Sequence, residues 1–522
     1  MNSQTVRFLL TGPALAALFL TSCKTLVGPD YVDPGGDLPD AWSRSVLEDL
    51  QDGSSSLAGW WKGFHDPALN TLIERTREAN PTLKAALAGI AEARAQRGIA
   101  RSQGLPQAGA EADYSRTRRS ETLLGPVFQN PSSLYSTGFD AGWEIDLFGG
   151  IRRSVEAAEA NVQAREETYR DALVTLFAEV ALNYVDYRTL EERIAVANRN
   201  IAAQRESVEL TKGRLQAGLV PRIDVTQAET NLALSESAVP LLRAQLAAAK
   251  NRLAALTGGF PDSVSTVLAS GRGIPVPSAG YSAGLPADLL RARPDIRQAE
   301  RDLAAQVARI GVAEADLYPR LTLFGDFRLQ TATSGDLFDS ASRAYSFGPS
   351  FRWAIFSAGR IRNEISAQES RALAALATYE TTVLAAVEEV ETSMAAIVNE
   401  RDRLGDLGRA VDASRETVSL IKDNYENGLV SFQNVLDAER TKFDTEDEQT
   451  FSRGQLAGFY ISLYKALGGG TECEYIPATG GEVRPYFPWK PVKEKTAAAD
   501  GADGTAAADG PAKPEAAAAE VE

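Results

Sequence analysis

Side chains suited to chemistry are scarce in this chain and far apart. Among 522 residues there is one histidine, His65, and two cysteines, Cys23 and Cys473. An imidazole- or thiolate-based site needs several such groups converging, and a phosphate loop needs glycines followed by Lys-Ser/Thr; neither pattern is present. Gly149-Gly150 lacks the rest of a GxGxxG motif and reads as a strand-to-helix turn. A hydrolase built only from Asp and Glu stays open on composition, but nothing in the sequence places two carboxylates in one cleft. The expectation is no catalytic residue, no metal site and no cofactor. Cys23, by contrast, has a chemical context. Arg7 and the apolar stretch Phe8 to Leu20, too short to span a bilayer, read as an export signal. Leu20-Thr21-Ser22-Cys23 then resembles a lipobox, in which Cys23 is lipidated and becomes the first mature residue; the alternative is an ordinary signal with a chance cysteine. Lys24 is compatible with sorting to an outer membrane. With Cys23 acylated, Cys473 has no intrachain partner, which excludes a disulfide framework.

The elements that must carry any function are read from charge and hydropathy. Charged residues make up 24% of the chain and the net formal charge is −16, so nucleic acid is not an expected partner. The acidic excess fits a solvated surface or a cation-attracting lumen. Beyond residue 22 no window approaches the roughly 20 apolar residues of a membrane helix. If the mature chain crosses a membrane, it must do so as a closed β-barrel.

The sequence is written twice. Trp143-Glu-Ile-Asp-Leu-Phe-Gly-Gly-Ile-Arg152 recurs 210 positions later as Trp353-Ala-Ile-Phe-Ser-Ala-Gly-Arg-Ile-Arg362. Gly218-Leu219-Val220 recurs at the same offset as Gly428-Leu429-Val430, as do Ala228-Glu229 and Gly258-Gly259. Upstream, Pro81 and Pro106 match Pro294 and Pro319 at an offset of 213, so three residues are gained or lost between Pro106 and Trp143.

Each copy predicts a long helix. Ile151 to Lys212 contains neither Gly nor Pro and is rich in Ala, Glu, Arg and Leu. About 62 residues at 1.5 Å each reach roughly 90 Å. A seven-residue apolar stripe runs Leu173, Val180, Tyr187, Ile194, Ile201, Val208, Leu215, and the second copy repeats it from Val383 to Tyr425. Such a period means coiled-coil packing. A second helix follows each Gly-Leu-Val turn; Pro240 should kink the first of these, where the other copy has Thr450. Period-two segments precede each long helix. Thr137, Phe139, Ala141, Trp143 and Ile145 alternate with Ser136, Gly138, Asp140, Gly142 and Glu144, and Tyr345, Phe347, Phe351 and Trp353 behave likewise. With strand-like runs near 108–118 and 320–330, these predict two hairpins with an aromatic face suited to lipid. Four strands cannot close a transmembrane barrel, and open edges are forbidden in lipid, so the subunits must form a ring.

The whole pattern closely resembles the TolC-like outer membrane factor family, in particular its lipoprotein branch of OprM and NodT type. The resemblance covers Cys23 to about Gly470 and includes Val27-Gly28-Pro29-Asp30-Tyr31, Trp60-Trp61-Lys62-Gly63-Phe64-His65-Asp66-Pro67, Asn80-Pro81-Thr82-Leu83, and Leu285-Pro286 through Arg293-Pro294-Asp295-Ile296. It implies a mainly α fold with a β-barrel portion: a homotrimer whose twelve strands form one outer-membrane barrel, continuous with a periplasmic α-helical barrel. It implies an exit duct of a tripartite efflux system in a Gram-negative bacterium, anchored to outer-membrane lipid through acylated Cys23. A periplasmic adaptor and an inner-membrane transporter of RND type would be its partners. On this resemblance Gly218, Leu219, Val220, Gly428, Leu429 and Val430 form the turns where adaptor tips dock. Asp437 matches the second aspartate of the ring around the periplasmic aperture, and Asn434 stands where the first would be. Asp224 and Tyr425 match members of the closing links, while Val430 replaces their arginine donor. Each aperture residue also has the simpler reading of a solvated helix position, and each turn that of a helix stop without a partner.

The expected organisation is a signal at 1–22, a lipidated segment at 23–58, a first repeat at 59–280 and a second at 281–470. Hairpins fall at about 108–147 and 320–356, and helices at about 150–256 and 359–467. An extension follows at 471–522, low in complexity and expected to be disordered from about 494. Its proline- and aromatic-rich stretch, Pro485 to Pro491, would pack outside the tunnel. Competing functional readings are a type I secretion channel and a non-conducting coiled-coil lipoprotein, and the latter leaves the aromatic hairpins unexplained.

Overall fold

The computed structural model describes residues 26–35, 57–120, 131–277 and 293–470. The signal, Cys23, Cys473, Leu285-Pro286 and the whole 471–522 extension lie outside these residues, as does part of the first hairpin connection.

Each repeat opens with a proline-started helix. Asp66 caps α1 (Pro67–Ala79), accepting from the Ala68 amide at 2.8 Å, and Asn80 caps α2 (Pro81–Ser102), accepting from the Thr82 amide at 2.7 Å. These prolines sit where a missing N–H costs nothing. Strands β1 (Gln107–Thr117) and β2 (Ser132–Ile145) lead into α3 (Gly150–Gln216), which turns back as α4 (Arg222–Leu256). The second repeat follows the same order: α5 (Pro294–Ala315), β3 (Arg320–Thr331), β4 (Arg343–Arg352), α6 (Arg360–Glu426) and α7 (Phe432–Ala466). Gly149 and Gly359, at φ 84° and 86°, make the same strand-to-helix turn in both copies, so Gly149-Gly150 is no phosphate loop.

α3 and α6 are each 67 residues long, and α4 and α7 each 35. α3 continues through Gly213 to Gln216; one exposed glycine costs about 1 kcal/mol relative to Ala, less than the flanking coiled-coil packing returns. Pro240, where the sequence predicts a kink, lies within α4. α4 runs through it without interruption, and Pro240 lies on an exposed face where water can meet the carbonyl that loses its donor. The heptad stripes form the interior. Leu173, Val180, Val390 and Ile397 belong to a large core with Trp60, Trp61, Leu69 and Leu72, while Ile201 with Val239, and Val208 with Tyr425, lie in two smaller clusters along the helices. In the large core the Tyr184 hydroxyl donates to Asp66 at 2.6 Å, and the buried Arg188 donates to that hydroxyl and to the Leu268 carbonyl.

The two hairpins join into one antiparallel sheet, ordered β1-β2-β3-β4. Their registers are equivalent: Gln107 faces Gly142 and Arg320 faces Arg352, so β1 and β3 match at 213 and β2 and β4 at 210. The three-residue difference therefore falls between the strands of the hairpin. On one face Phe139 pairs with Phe327 and Phe327 with Tyr345, flanked by Trp143 opposite Leu323 and Leu321 opposite Phe351. The other face carries Glu111, Asp113, Asp140, Glu144, Asp326 and Arg328. Phe139, Phe327, Tyr345, Phe347 and Phe351 are all exposed. Among the described residues β1 and β4 are each paired on one side only.

The segment Leu26–Tyr31 is tied across the junction of sheet and helices. The buried Arg153 guanidinium donates to the Val27 and Gly28 carbonyls at 3.0 and 3.1 Å and to Asp30 at 2.7 Å. Gly28, at φ 87°, lies so close to Gly311 that a side chain on either would strike backbone.

Candidate functional site

The far ends of the long helices carry the residues singled out by sequence. Both Gly-Leu-Val turns adopt one geometry. At the end of α3 the Leu219 amide donates to the Arg214 carbonyl and the Gly218 amide to the Leu215 carbonyl, both at 2.9 Å. At the end of α6 Leu429 and Gly428 make the same pair of bonds to Asn424 and Tyr425. Each glycine sits at φ 73°, as the left-handed C-terminal cap requires. The turn then projects its leucine: Leu219 is 66% and Leu429 72% exposed, while Val220 and Val430 fold inward.

The two turns share one apolar cluster. Val208 and Ala228 of the first repeat meet Tyr425, Phe432, Val435 and Leu436 of the second, with Val220 and Val430 at its margin. Arg214 bridges the repeats. Its guanidinium lies 4.8 Å from the centre of the Tyr425 ring and donates to the Glu426 carbonyl at 2.8 Å. The Tyr425 hydroxyl is buried without a well-formed hydrogen bond among the described residues, and its pKa is pushed up by burial first and by the Asp224 carboxylate second, with Arg214 opposing. Burial also raises the Asp224 carboxyl. Among the described residues no hydrogen bond joins the Tyr425 hydroxyl to Asp224. Val430 contributes no donor, and the cation beside the tyrosine is Arg214, a residue that no sequence motif marks.

Asn434 and Asp437 lie elsewhere on α7. Both are exposed; Asn434 accepts from the Ser431 hydroxyl at 3.2 Å and Asp437 from the Gln433 amide at 3.0 Å. One subunit brings neither of them to Tyr425.

Behind the tip two buried carboxylates of α7 each join three helices. Glu439 accepts from Ser207 of α3 at 2.6 Å and from Lys422 of α6 at 2.8 Å. One heptad away, Glu446 accepts from Asn200 of α3 at 3.1 Å and from Arg415 of α6 at 2.8 Å. Burial would raise the Glu446 carboxyl, but these two hydrogen bonds together with the Lys442 and Arg415 charges outweigh it and hold the group below its ordinary value. The signal was available: polar residues at 200, 207 and 214 repeat every seven positions beside the apolar stripe. Among the described residues no cluster of three or more His, Cys, Asp or Glu could hold a metal ion, and His65 is an exposed residue ending a short helical turn.

A lipid-compatible sheet face, an acidic opposite face and a duplicated helical hairpin with exposed leucine tips agree with comparison to known proteins. The sequence profile of the family described as outer membrane efflux protein matches twice, over residues 72–259 and 285–469. The chain belongs to that family. Nodulation protein T of Rhizobium leguminosarum bv. viciae is 32% identical over 88% of this chain and 92% of its own length. The solvent efflux pump outer membrane protein SrpC of Pseudomonas putida is 30% identical over 88% and 97%. The solved structure of the outer-membrane channel OprN superposes with a TM-score of 0.79 at 35% identity, covering 85% of this chain and 99% of that one. This outer membrane efflux protein is therefore a channel subunit of a Gram-negative outer membrane with a large periplasmic portion. Its aromatic sheet face is the membrane part and its long helices are the periplasmic part.

Proposed function

We propose that three copies of this outer membrane efflux protein close one twelve-stranded barrel and one helical tunnel, which together form the passive exit duct of a tripartite efflux system. The observation that carries the reading is the four-stranded sheet, aromatic on one face and acidic on the other, with both outer edges open among the described residues. In lipid such edges must be paired, and only further copies offer matching strands. The subunit performs no reaction; solute arrives from an inner-membrane transporter of RND type through a periplasmic adaptor. The adaptor docks at the paired turns, where Leu219 and Leu429 present an apolar knob above glycine-capped helix ends. Asp437, Asn434, Asp224 and Tyr425 surround the aperture, and Cys23 carries the lipid that fixes the duct to the membrane.

Purified full-length protein is expected to migrate as a heat-modifiable, detergent-resistant oligomer and to conduct ions in planar bilayers. Cysteines placed by Leu219→Cys and Leu429→Cys are expected to cross-link to an adaptor in cells. A monomer that leaves bilayers sealed would end this reading.

A further inference from the structure

The joint between a short helix and the end of a returning helix is built twice, once neutral and once charged. In the first repeat Asn80, the cap of α2, donates from its side-chain amide to the Leu256 carbonyl at the end of α4, at 2.7 Å. In the second repeat Arg293, the cap residue of α5, donates to the Ala466 carbonyl at the end of α7. These are the same positions at the offsets of 213 and 210, and the backbone agrees. Gly258 and Gly468 both turn at φ 71°, the first against Ala79 and the second against Arg293. The surroundings differ. The buried Arg293 guanidinium donates to Asp295 at 2.6 and 3.0 Å and to Glu389 of α6 at 3.0 Å. Asp171 of α3 and Lys465 of α7 complete the lining of a cavity of about 200 Å³ around this knot, so three carboxylates share two cations. Asn80, Thr82 and Ala255 stand in the first repeat where Arg293, Asp295 and Lys465 stand in the second, and Asp171 has Thr381 as its duplicate. Only Glu389 has a charged counterpart, Glu179, which pairs with Arg252.

From this we infer that the second joint is a proton-operated clasp: a proton on Asp171 tightens the seat of α7 on α5, its release loosens that seat, and the first joint is indifferent to pH. The half-buried Asp171 carboxyl faces Arg293 and Asp295 from α5, Glu389 from α6 and Lys465 from α7. One turn earlier on its own helix, Glu167 is answered by Arg170 and Arg297. Arg293 is already bound to two carboxylates, which leaves Asp171 as the surplus negative charge. Burial first and repulsion from Asp295 second push its carboxyl above the usual range, against the pull of Arg293 and Lys465. A carboxyl that holds its proton more tightly when folded contributes stability below its unfolded pKa and loses it as pH rises through the folded value. The window for Asp171 therefore extends upward from about pH 4, where an unfolded aspartate titrates. α7 runs from this joint to the turn that carries Leu429, so the clasp acts on the helix that bears Asn434 and Asp437. The number of copies in the ring does not enter.

The test is amide hydrogen exchange of purified full-length protein, read by mass spectrometry at about pH 5 and about pH 8 with rates corrected for the intrinsic effect of pH. Protection from Ile461 to Gly468 is expected to fall severalfold at the higher pH, while protection from Ala254 to Gly258 stays constant. Asp171→Asn, which fixes the uncharged state, is expected to keep the second joint at its low-pH protection throughout. Asp171→Thr, the residue of the duplicate position, is expected to flatten the profile likewise should the amide impair folding. A wild-type second joint insensitive to pH, equal changes at both joints, or an unaltered pH dependence in the variants overturns the clasp. So does a loss of protection in both variants at the higher pH, which would make ionised Asp171 a supporting partner of Arg293 or Lys465. None of these outcomes touches the duct, which is tested by oligomer and conductance.

Discussion

Glu446 is a carboxylate removed from water and still ionised, because Arg415 and Asn200 supply what water would. Removing its charge takes a charged acceptor from the half-exposed Arg415 guanidinium and from the buried Asn200 amide. Glu446→Gln is therefore expected to lower stability at neutral pH by about 2 kcal/mol, the scale of a hydrogen bond to a charged group. The sign of the pH dependence follows from the depressed pKa. A carboxyl that ionises more readily when folded contributes its stability above the unfolded pKa and loses it as pH falls through the folded value. Thermal unfolding followed by circular dichroism should thus show a gap between wild type and Glu446→Gln at pH 7 that closes under acid conditions; a gap independent of pH would assign the effect to packing alone. Arg214 belongs to this scale too. Its place over Tyr425 depends on two helices that are distant in sequence, so no local pattern announces it.

At the scale of elements, the strands and long helices were legible because each buries a stripe of fixed period. Alternation fixed which sheet face is apolar, and the registers keep Phe139, Phe327 and Tyr345 in one row. A charge in that row must enter lipid, whereas one on the opposite face meets water. Phe327→Lys is expected to cost roughly 2–4 kcal/mol near the bilayer midplane and to deplete the oligomer from outer-membrane fractions. Ser346→Lys, exposed on the acidic face of the neighbouring strand opposite Asp326, should leave the amount of oligomer unchanged. Equal losses in both variants would mean that the sheet does not face lipid. Local helix-breaking tendencies do not by themselves set the length of these elements. Gly213 and Pro240 are helix breakers in isolation, but the packing of a 67-residue helix and the exposure of Pro240 override them.

At the scale of the whole molecule, the N-terminal segment is fastened where sheet and helices meet, through Arg153 and the close approach of Gly28 to Gly311. A methyl at Gly311 would stand 2.8 Å from the Val27 carbonyl oxygen and 2.9 Å from Arg153 Cγ. Gly311→Ala is expected to release residues 26–31 while leaving the helices folded. Limited proteolysis near the N-terminus should accelerate severalfold with the circular dichroism unchanged; retained protection would show that the segment is held by other contacts.

The sequence by itself determined the repeat, the heptad interior, the two hairpins and the glycine-capped turns, because each is set by local periodicity or by a conformation that only certain residues adopt. It also determined that a lone subunit is incomplete. The tertiary structure decided that the hairpins join through β2 and β3, that Arg214 rather than a residue near Val430 attends Tyr425, and that Glu439 and Glu446 are buried while Glu229 and Glu236 are not. Those outcomes depend on which helix lies across which face, a matter of long-range packing that identical local patterns leave open.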